Sequence, residues 1–185
     1  WNNLSKYECI FLDRDGTINF DPGYIPSVKD LKFYDYTFKA LRLLKPLTKS
    51  FIIITNQSGV SRGLIKEKKL IEINSFIHSK FLKNKLNLLD IYYCTDLPGN
   101  RSTFRKPEKG MFLQASSEHN IDLAQCIMIG DSYTDIVPAN ELGMSSLFVL
   151  SGNGKKDLHK FDNLCKPDQI AKNLFLGAKD LIKWK

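Results

Sequence analysis

Two carboxylates one residue apart, Asp13 and Asp15, follow directly on the apolar run Ile10-Phe11-Leu12 and precede Gly16-Thr17. Side chains alternate faces along extended chain, so Asp13 and Asp15 are expected to point the same way, two rises of about 3.3 Å apart, while Arg14 points elsewhere. Like charges at that spacing call for a cation. A hard divalent ion such as magnesium takes oxygen ligands and keeps room for waters and a substrate phosphate. Gly16 supplies the freedom for a sharp turn.

Three further polar clusters close later apolar runs. Thr55-Asn56-Gln57-Ser58-Gly59 offers a hydroxyl and small residues that can turn backbone N–H groups toward an anion. Arg105-Lys106-Pro107 offers a planar fork and a point charge for phosphate, with the proline holding its neighbour toward extended backbone. Gly130-Asp131-Ser132-Tyr133-Thr134-Asp135 brings another carboxylate, Asp131, to complete a magnesium site. Taken singly, each cluster also reads as an ordinary turn or helix cap.

Position decides between the readings. Apolar, β-branched-rich runs predict buried strands over 7–12, 51–55, 88–94, 126–129 and 146–150, with an edge strand over 169–171. Helical spacing of Leu70, Ile73, Ile77 and Phe81 predicts a helix over 66–84. Shorter helices are expected over 37–45, 109–119 and 133–142, and a final one over 174–184. Pro138 must sit early in its helix or kink it. Strands alternating with helices imply one α/β domain over 1–185, a doubly wound parallel sheet. In such sheets ligands gather beyond the carboxyl ends of the strands, where all four clusters fall. The longest irregular segments are 18–36, 57–65, 96–108 and 151–167, and three of the four are expected to follow strands at that edge.

Composition sets broader bounds. A chain of 185 residues with 43% hydrophobic and 25% charged content suits a globular protein with a buried core. No apolar stretch approaches a membrane span and the opening residues, Trp1 to Lys6, carry no long apolar segment, so a cytoplasmic protein without membrane contact is expected. Cys9, Cys94, Cys126 and Cys165 lack the paired spacing of a zinc site and the density of a disulfide scaffold. The net charge of +7 is compatible with nucleic acid or a polyanionic small molecule, and with a merely solvated lysine-rich surface. Two segments are richer: 62–69 sets four bases against Glu67, and 101–109 sets four against Glu108.

The ordered set Asp13-x-Asp15-Gly-Thr, Thr55-Asn-Gln, Arg105-Lys106-Pro and Gly130-Asp131-x-x-x-Asp135 resembles the haloacid dehalogenase superfamily of phosphatases, over residues 7–150. Asp-Arg-Asp-Gly-Thr-Ile-Asn, Asp21-Pro-Gly-Tyr24, Thr55-Asn-Gln-Ser-Gly-Val-Ser-Arg-Gly63 and Arg105-Lys-Pro-x-x-Gly-Met111 are most similar to the D-glycero-D-manno-heptose 1,7-bisphosphate phosphatases, with much shared by histidinol phosphate phosphatases. The resemblance implies a magnesium-dependent phosphomonoester hydrolase without a large cap domain, acting on a small phosphorylated substrate such as a sugar bisphosphate. It implies that Asp13 attacks phosphorus, that Asp15 acts as general acid and base, and that Thr55, Asn56 and Lys106 complete the phosphate cradle. Magnesium would be held by the Asp13 carboxylate, the Asp15 main-chain carbonyl and Asp131, with Asp135 orienting Lys106 or the metal's waters. Tyr24, Gln57, Ser58, Arg62 and Arg105 are the candidates for sugar hydroxyls and a distal phosphate.

One departure stands out. Heptose phosphatases commonly carry a zinc loop of Cys-x-His followed by Cys-x-Cys just before Arg-Lys-Pro, whereas here Cys94 is followed by Asp96 and 97–104 contains no cysteine. Four tetrahedral ligands cannot be assembled, so no zinc is expected. The competing functions are a histidinol phosphate phosphatase and a polynucleotide 3′-phosphatase, the latter suited to the basic charge but without an aromatic platform for bases. A phosphate-binding module without turnover is the remaining class, opposed by the intact acidic set. The expected state is a monomer or weak oligomer.

Overall fold

Alternation within the first strand sorts the whole molecule. Ile10 and Leu12 enter one apolar layer, Cys9 and Phe11 the other, and all four are fully buried. A strand buried on both faces belongs to a sheet covered on both faces. The computed structural model describes residues 5–183. Its strands are β1 (Tyr7–Leu12), β2 (Thr48–Asn56), β3 (Leu88–Cys94), β4 (Ile127–Gly130), β5 (Ser145–Val149) and β6 (Gln169–Ala171). Every pairing is parallel, in the order β3-β2-β1-β4-β5-β6.

Helices α1 (Thr37–Leu44) and α2 (Glu67–Lys83) cover the Ile10 face, together with the last helix, introduced below. Ile73, Ile77 and Phe81 of α2 are fully buried there, and Leu70 of the same stripe is also buried, each side chain contributing about 1.5–3 kcal/mol. Helix α3 (Gly110–His119) covers the Phe11 face through Met111, Phe112 and Ala115, with Phe11 and Phe112 stacked at 5.8 Å. Helix α4 (Tyr133–Glu141) adds Ala139 to the same layer. After β5 comes a single short turn of helix, α5 (Gly154–Asp157), and α6 (Leu174–Lys183) then returns to the Ile10 face.

The doubly wound α/β architecture expected from the sequence is present, with shifted boundaries. Strand β2 begins earlier than 51 because Tyr7 pairs with Thr48 and Cys9 with Ser50, and a backbone ladder ignores side-chain polarity. Both polar residues are buried, with the Thr48 hydroxyl donating to the Ser50 carbonyl at 2.9 Å. Pro138 lies within α4 rather than at its start, and is buried. The expected helix over 174–184 is seen to Lys183; Trp184, like the opening Trp1 to Leu4, lies outside the described residues. No helix among the described residues is long and apolar enough to cross a membrane.

Strand order reverses between β1 and β4, which is where a crevice opens in a sheet of this kind. Asp13 follows β1, Thr55 and Asn56 end β2, and Asp131 follows β4. All four long irregular segments, not three, follow strands at this edge, and the extra one, after β5, also reaches the site.

Candidate active site

Lysine rarely goes fully inside unless its charge is answered. Lys106 is 3% exposed, and its ammonium donates to Asp13 Oδ1 at 2.7 Å, Asp135 Oδ1 at 2.5 Å and the Ile54 carbonyl at 2.8 Å. Burial alone would lower its proton affinity, but Asp13 and Asp135 raise it above the ordinary lysine value, so the ammonium persists. Asn56 fixes the segment from outside. Its amide donates to the Lys106 carbonyl at 3.1 Å, and its Oδ1 accepts the Lys106 N–H at 3.0 Å. Asp135 serves two elements, since its other oxygen accepts the Ser132 N–H at 3.0 Å and closes a capping box on α4.

Asp13, Asp131 and Asp135 each bring a carboxylate oxygen within 4.8 Å of the others. Burial, then the charges of Asp13 and Asp135, push the Asp131 carboxyl well up; burial and Asp13 push Asp135 up to about 7 despite Lys106. Three buried acids with one ammonium between them lack positive charge. An oxygen-only donor set of this kind fits a hard divalent cation, magnesium rather than a soft metal. Asp131 is held by Thr17, whose hydroxyl donates to Oδ1 at 3.1 Å, and by the Asn153 N–H, which reaches Oδ2 at 2.7 Å. Gly16 and Gly152, both at positive φ, flank this carboxylate so closely that a Cβ on either would overlap it.

Asp15 faces different partners. Arg14 donates to it through Nε and Nη2, both at 2.9 Å, while Asn19 reaches Oδ1 at 2.8 Å and Gln57 reaches Oδ2 at 2.8 Å. Burial would raise this carboxyl, but the Arg14 charge and the hydrogen bonds from Arg14, Asn19 and Gln57 hold it below the usual range. Arg14 therefore does not point away as strand alternation implied. The chain leaves the ladder after Leu12, so the pleat no longer sets the direction, and the guanidinium turns inward at 1% exposure.

A cavity of about 230 Å³ is lined by Asp13, Asp15, Thr55, Asn56, Arg105, Lys106 and Asp131, joined by Asp135 and Asn153. Gln57 stands one layer behind, bridging Asp15 and the Thr55 hydroxyl. Tyr24, Ser58 and Arg62 do not line it; Ser58 and Arg62 share a turn after β2, and Tyr24 borders a separate groove with Phe20 and Pro22. Sequence reasoning missed Arg14, Asn19, Thr17 and Asn153. A larger hollow of about 490 Å³, lined in part by Pro98, Asn100, Ser102 and Arg105, adjoins the first through Asn56, Arg105 and Lys106. Cys94, Asp96 and Ser102 meet beside it, and they do not fit zinc: the Cys94 thiol donates to Asp96 at 3.4 Å, Ser102 brings only a neutral hydroxyl 3.7 Å from the Cys94 sulfur, and Phe104 offers no donor atom.

A family model described as HAD-hydrolase-like matches residues 103–175. The D-glycero-beta-D-manno-heptose-1,7-bisphosphate 7-phosphatase of Helicobacter pylori strain J99 is 33% identical over 182 residues, 98% of this chain and 98% of the relative. The D-glycero-alpha-D-manno-heptose-1,7-bisphosphate 7-phosphatase of Campylobacter jejuni is 32% identical over 161 residues, 86% of this chain and 92% of the relative. The crystal structure of the D,D-heptose 1,7-bisphosphate phosphatase from B. bronchiseptica, complexed with magnesium and phosphate, matches with a TM-score of 0.86 at 28% identity, over 96% of this chain and 99% of that one. With the sheet order, the acidic cluster and relatives alike over nearly the full length, the chain belongs to the haloacid dehalogenase-like phosphatases, in the group of the heptose 1,7-bisphosphate phosphatases.

Proposed function

We propose that this phosphatase hydrolyses one phosphomonoester of a sugar bisphosphate, D-glycero-D-manno-heptose 1,7-bisphosphate or a near analogue, through an aspartyl phosphate on Asp13. The observation that carries the reading is the placement of Asp13, with one side against the Lys106 ammonium and the other against Asp131, at the point where the strand order turns. Asp13 attacks phosphorus and the bond to the leaving alkoxide breaks, which divides one very slow displacement into two. Lys106, Thr55 and Asn56 offer donors to the phosphoryl oxygens. Asp15 is anionic in the free chain, the form that takes a proton from water in the second step. The approach of a phosphate dianion raises its proton affinity and prepares it to donate to the leaving oxygen in the first. The Asp13 and Asp131 carboxylates, with the Asp15 carbonyl, would hold a magnesium ion, which would neutralise charge on the phosphoryl oxygens.

The test is phosphate release, with magnesium present, from both anomers of heptose 1,7-bisphosphate, from histidinol phosphate and from a 3′-phosphorylated oligonucleotide. Both anomers belong in it because the relatives are named for each. Preferred turnover of the heptose is expected; preferred turnover of either other substrate replaces it.

Magnesium binding should also be visible in the pH dependence of stability. Asp131 and Asp135 have raised proton affinity in the fold, so without metal the folded state binds their protons more tightly than the unfolded chain does. That contribution is complete below the ordinary carboxylate pKa of about 4 and is lost as pH rises toward about 7. Protons and metal compete for the same oxygens. Magnesium is therefore expected to raise the thermal midpoint more at pH 8 than at pH 5, measured by calorimetry, and equal shifts at both would remove the carboxylates from the metal site.

A further inference from the structure

Ser102 and Phe104, directly before Arg105-Lys106-Pro107, stand where the heptose phosphatases commonly carry Cys-x-Cys, and Asp96 stands where they carry histidine. The loop still has to be held. The Ser102 hydroxyl oxygen accepts the N–H of Phe104 at 3.2 Å and of Arg105 at 3.0 Å, and lies 3.7 Å from the Cys94 sulfur. The Asp96 carboxylate accepts the Cys94 thiol at 3.4 Å, while its own carbonyl accepts Arg105 Nη1 at 3.0 Å. Arg105 is thus tied at its amide and at its guanidinium, both to the same cluster. Cys94 is buried at the end of β3, so the cluster is anchored to the sheet.

We propose that Cys94, Asp96 and Ser102 form a metal-free clasp that stands in place of a zinc centre and positions Arg105, the candidate already named for the substrate's distal anionic group, at the junction of the two hollows. The second clause rests on the bisphosphate reading above. Arg105 lines both hollows and leaves part of its five-donor fork for a ligand. Burial, and after it the positive charge of Arg62, lower its proton affinity against the opposing influence of Cys94, Asp96 and Tyr24, so an arriving anion favours the charged guanidinium. Hydrogen bonds among short side chains can do what a tetrahedral ion does for a loop, without the metal's requirement for four donors.

Ser102→Ala removes the acceptor shared by two amides, while leaving Asp13, Lys106, Asp131 and Asp135 with every hydrogen bond described above. The expected result is a KM for heptose 1,7-bisphosphate raised about tenfold, the loss of one hydrogen bond's worth of positioning, with kcat little changed. The KM for phenyl phosphate, which has no distal anion, stays the same, and Ser102→Thr restores the bisphosphate KM. Wild-type protein carries no stoichiometric zinc by elemental analysis, and its thermal midpoint is unmoved by phenanthroline. An unchanged KM, an equal rise for both substrates, or one zinc per chain overturns the clasp. If wild-type protein does not distinguish the bisphosphate from phenyl phosphate, the substrate reading fails instead. Hydrogen exchange at the Phe104 and Arg105 amides then decides the clasp: faster in Ser102→Ala supports it, unchanged overturns it.

Discussion

Asp13→Asn is expected to leave a folded protein whose turnover of a sugar bisphosphate is lower by about 10³-fold or more. The amide keeps the shape and the reach toward Lys106 but removes the lone-pair charge that attacks phosphorus. It also takes one negative charge from a cluster in which Asp13 raises the proton affinity of both Asp131 and Asp135. Circular dichroism separates loss of chemistry from loss of fold. Rapid quenching with labelled substrate should trap alkali-labile label on wild-type protein and none on the variant. A variant with more than about a tenth of wild-type turnover would take the nucleophile's role away from Asp13.

Lys106→Met carries the second large effect, on stability and activity together. Its ammonium answers Asp13 and Asp135 and satisfies the Ile54 carbonyl at 2.8 Å, all away from solvent. Removing one partner of a buried pair strands the others and costs about 3–5 kcal/mol. For a chain of this size that is a fall in thermal midpoint of about 6–20 °C. Activity should fall by about 10²–10³-fold, because the donor is lost from the phosphoryl cradle and Asp13 is no longer steered. Magnesium should recover part of the lost stability, since it supplies positive charge to the same oxygens. Differential scanning calorimetry with and without the ion measures both quantities; a midpoint within 2 °C of wild type would mean the acids are neutralised some other way.

Most of the residues legible in the sequence, Asp13, Thr55 and Asp131, interrupt apolar runs whose length announces a strand. Asp13, Thr55 and Asp131 are placed by the sheet itself, and Lys106 by a proline and a helix start, so local pattern was sufficient to bring them together. Arg14 was misread because its neighbours on both sides are acids and nothing local distinguishes a solvated arginine from one folded inward. Its burial goes with its pairing to Asp15, on which Asn19 from the same loop and Gln57 from the loop after β2 also converge. Asn153 lay in a Ser-Gly-Asn-Gly segment that reads as a plain turn; the available signal was its place after β5, at the edge where every other cluster fell. Tyr24, Ser58 and Arg62 stand outside the cavity around Asp13, because a motif fixes sequence neighbours without fixing which way a loop leans. Boundaries drifted for a simpler reason, since Thr48 and Ser50 join a ladder that only backbone geometry governs.

Asp131 sits between bare backbone on two sides, Gly16 from the loop after β1 and Gly152 from the loop after β5. Main chain that close restricts where the carboxylate can move. The position of Asp131 is therefore set largely by backbone, whereas Asp13 and Asp135 are held by the Lys106 side chain. Ions differ in the oxygen distance they demand, about 2.0–2.1 Å for magnesium against about 2.3–2.6 Å for calcium. At a metal site built on Asp131, admitting the larger ion would mean moving two loops in concert, and discrimination by ionic radius would then lie in the chain's path at Gly16 and Gly152.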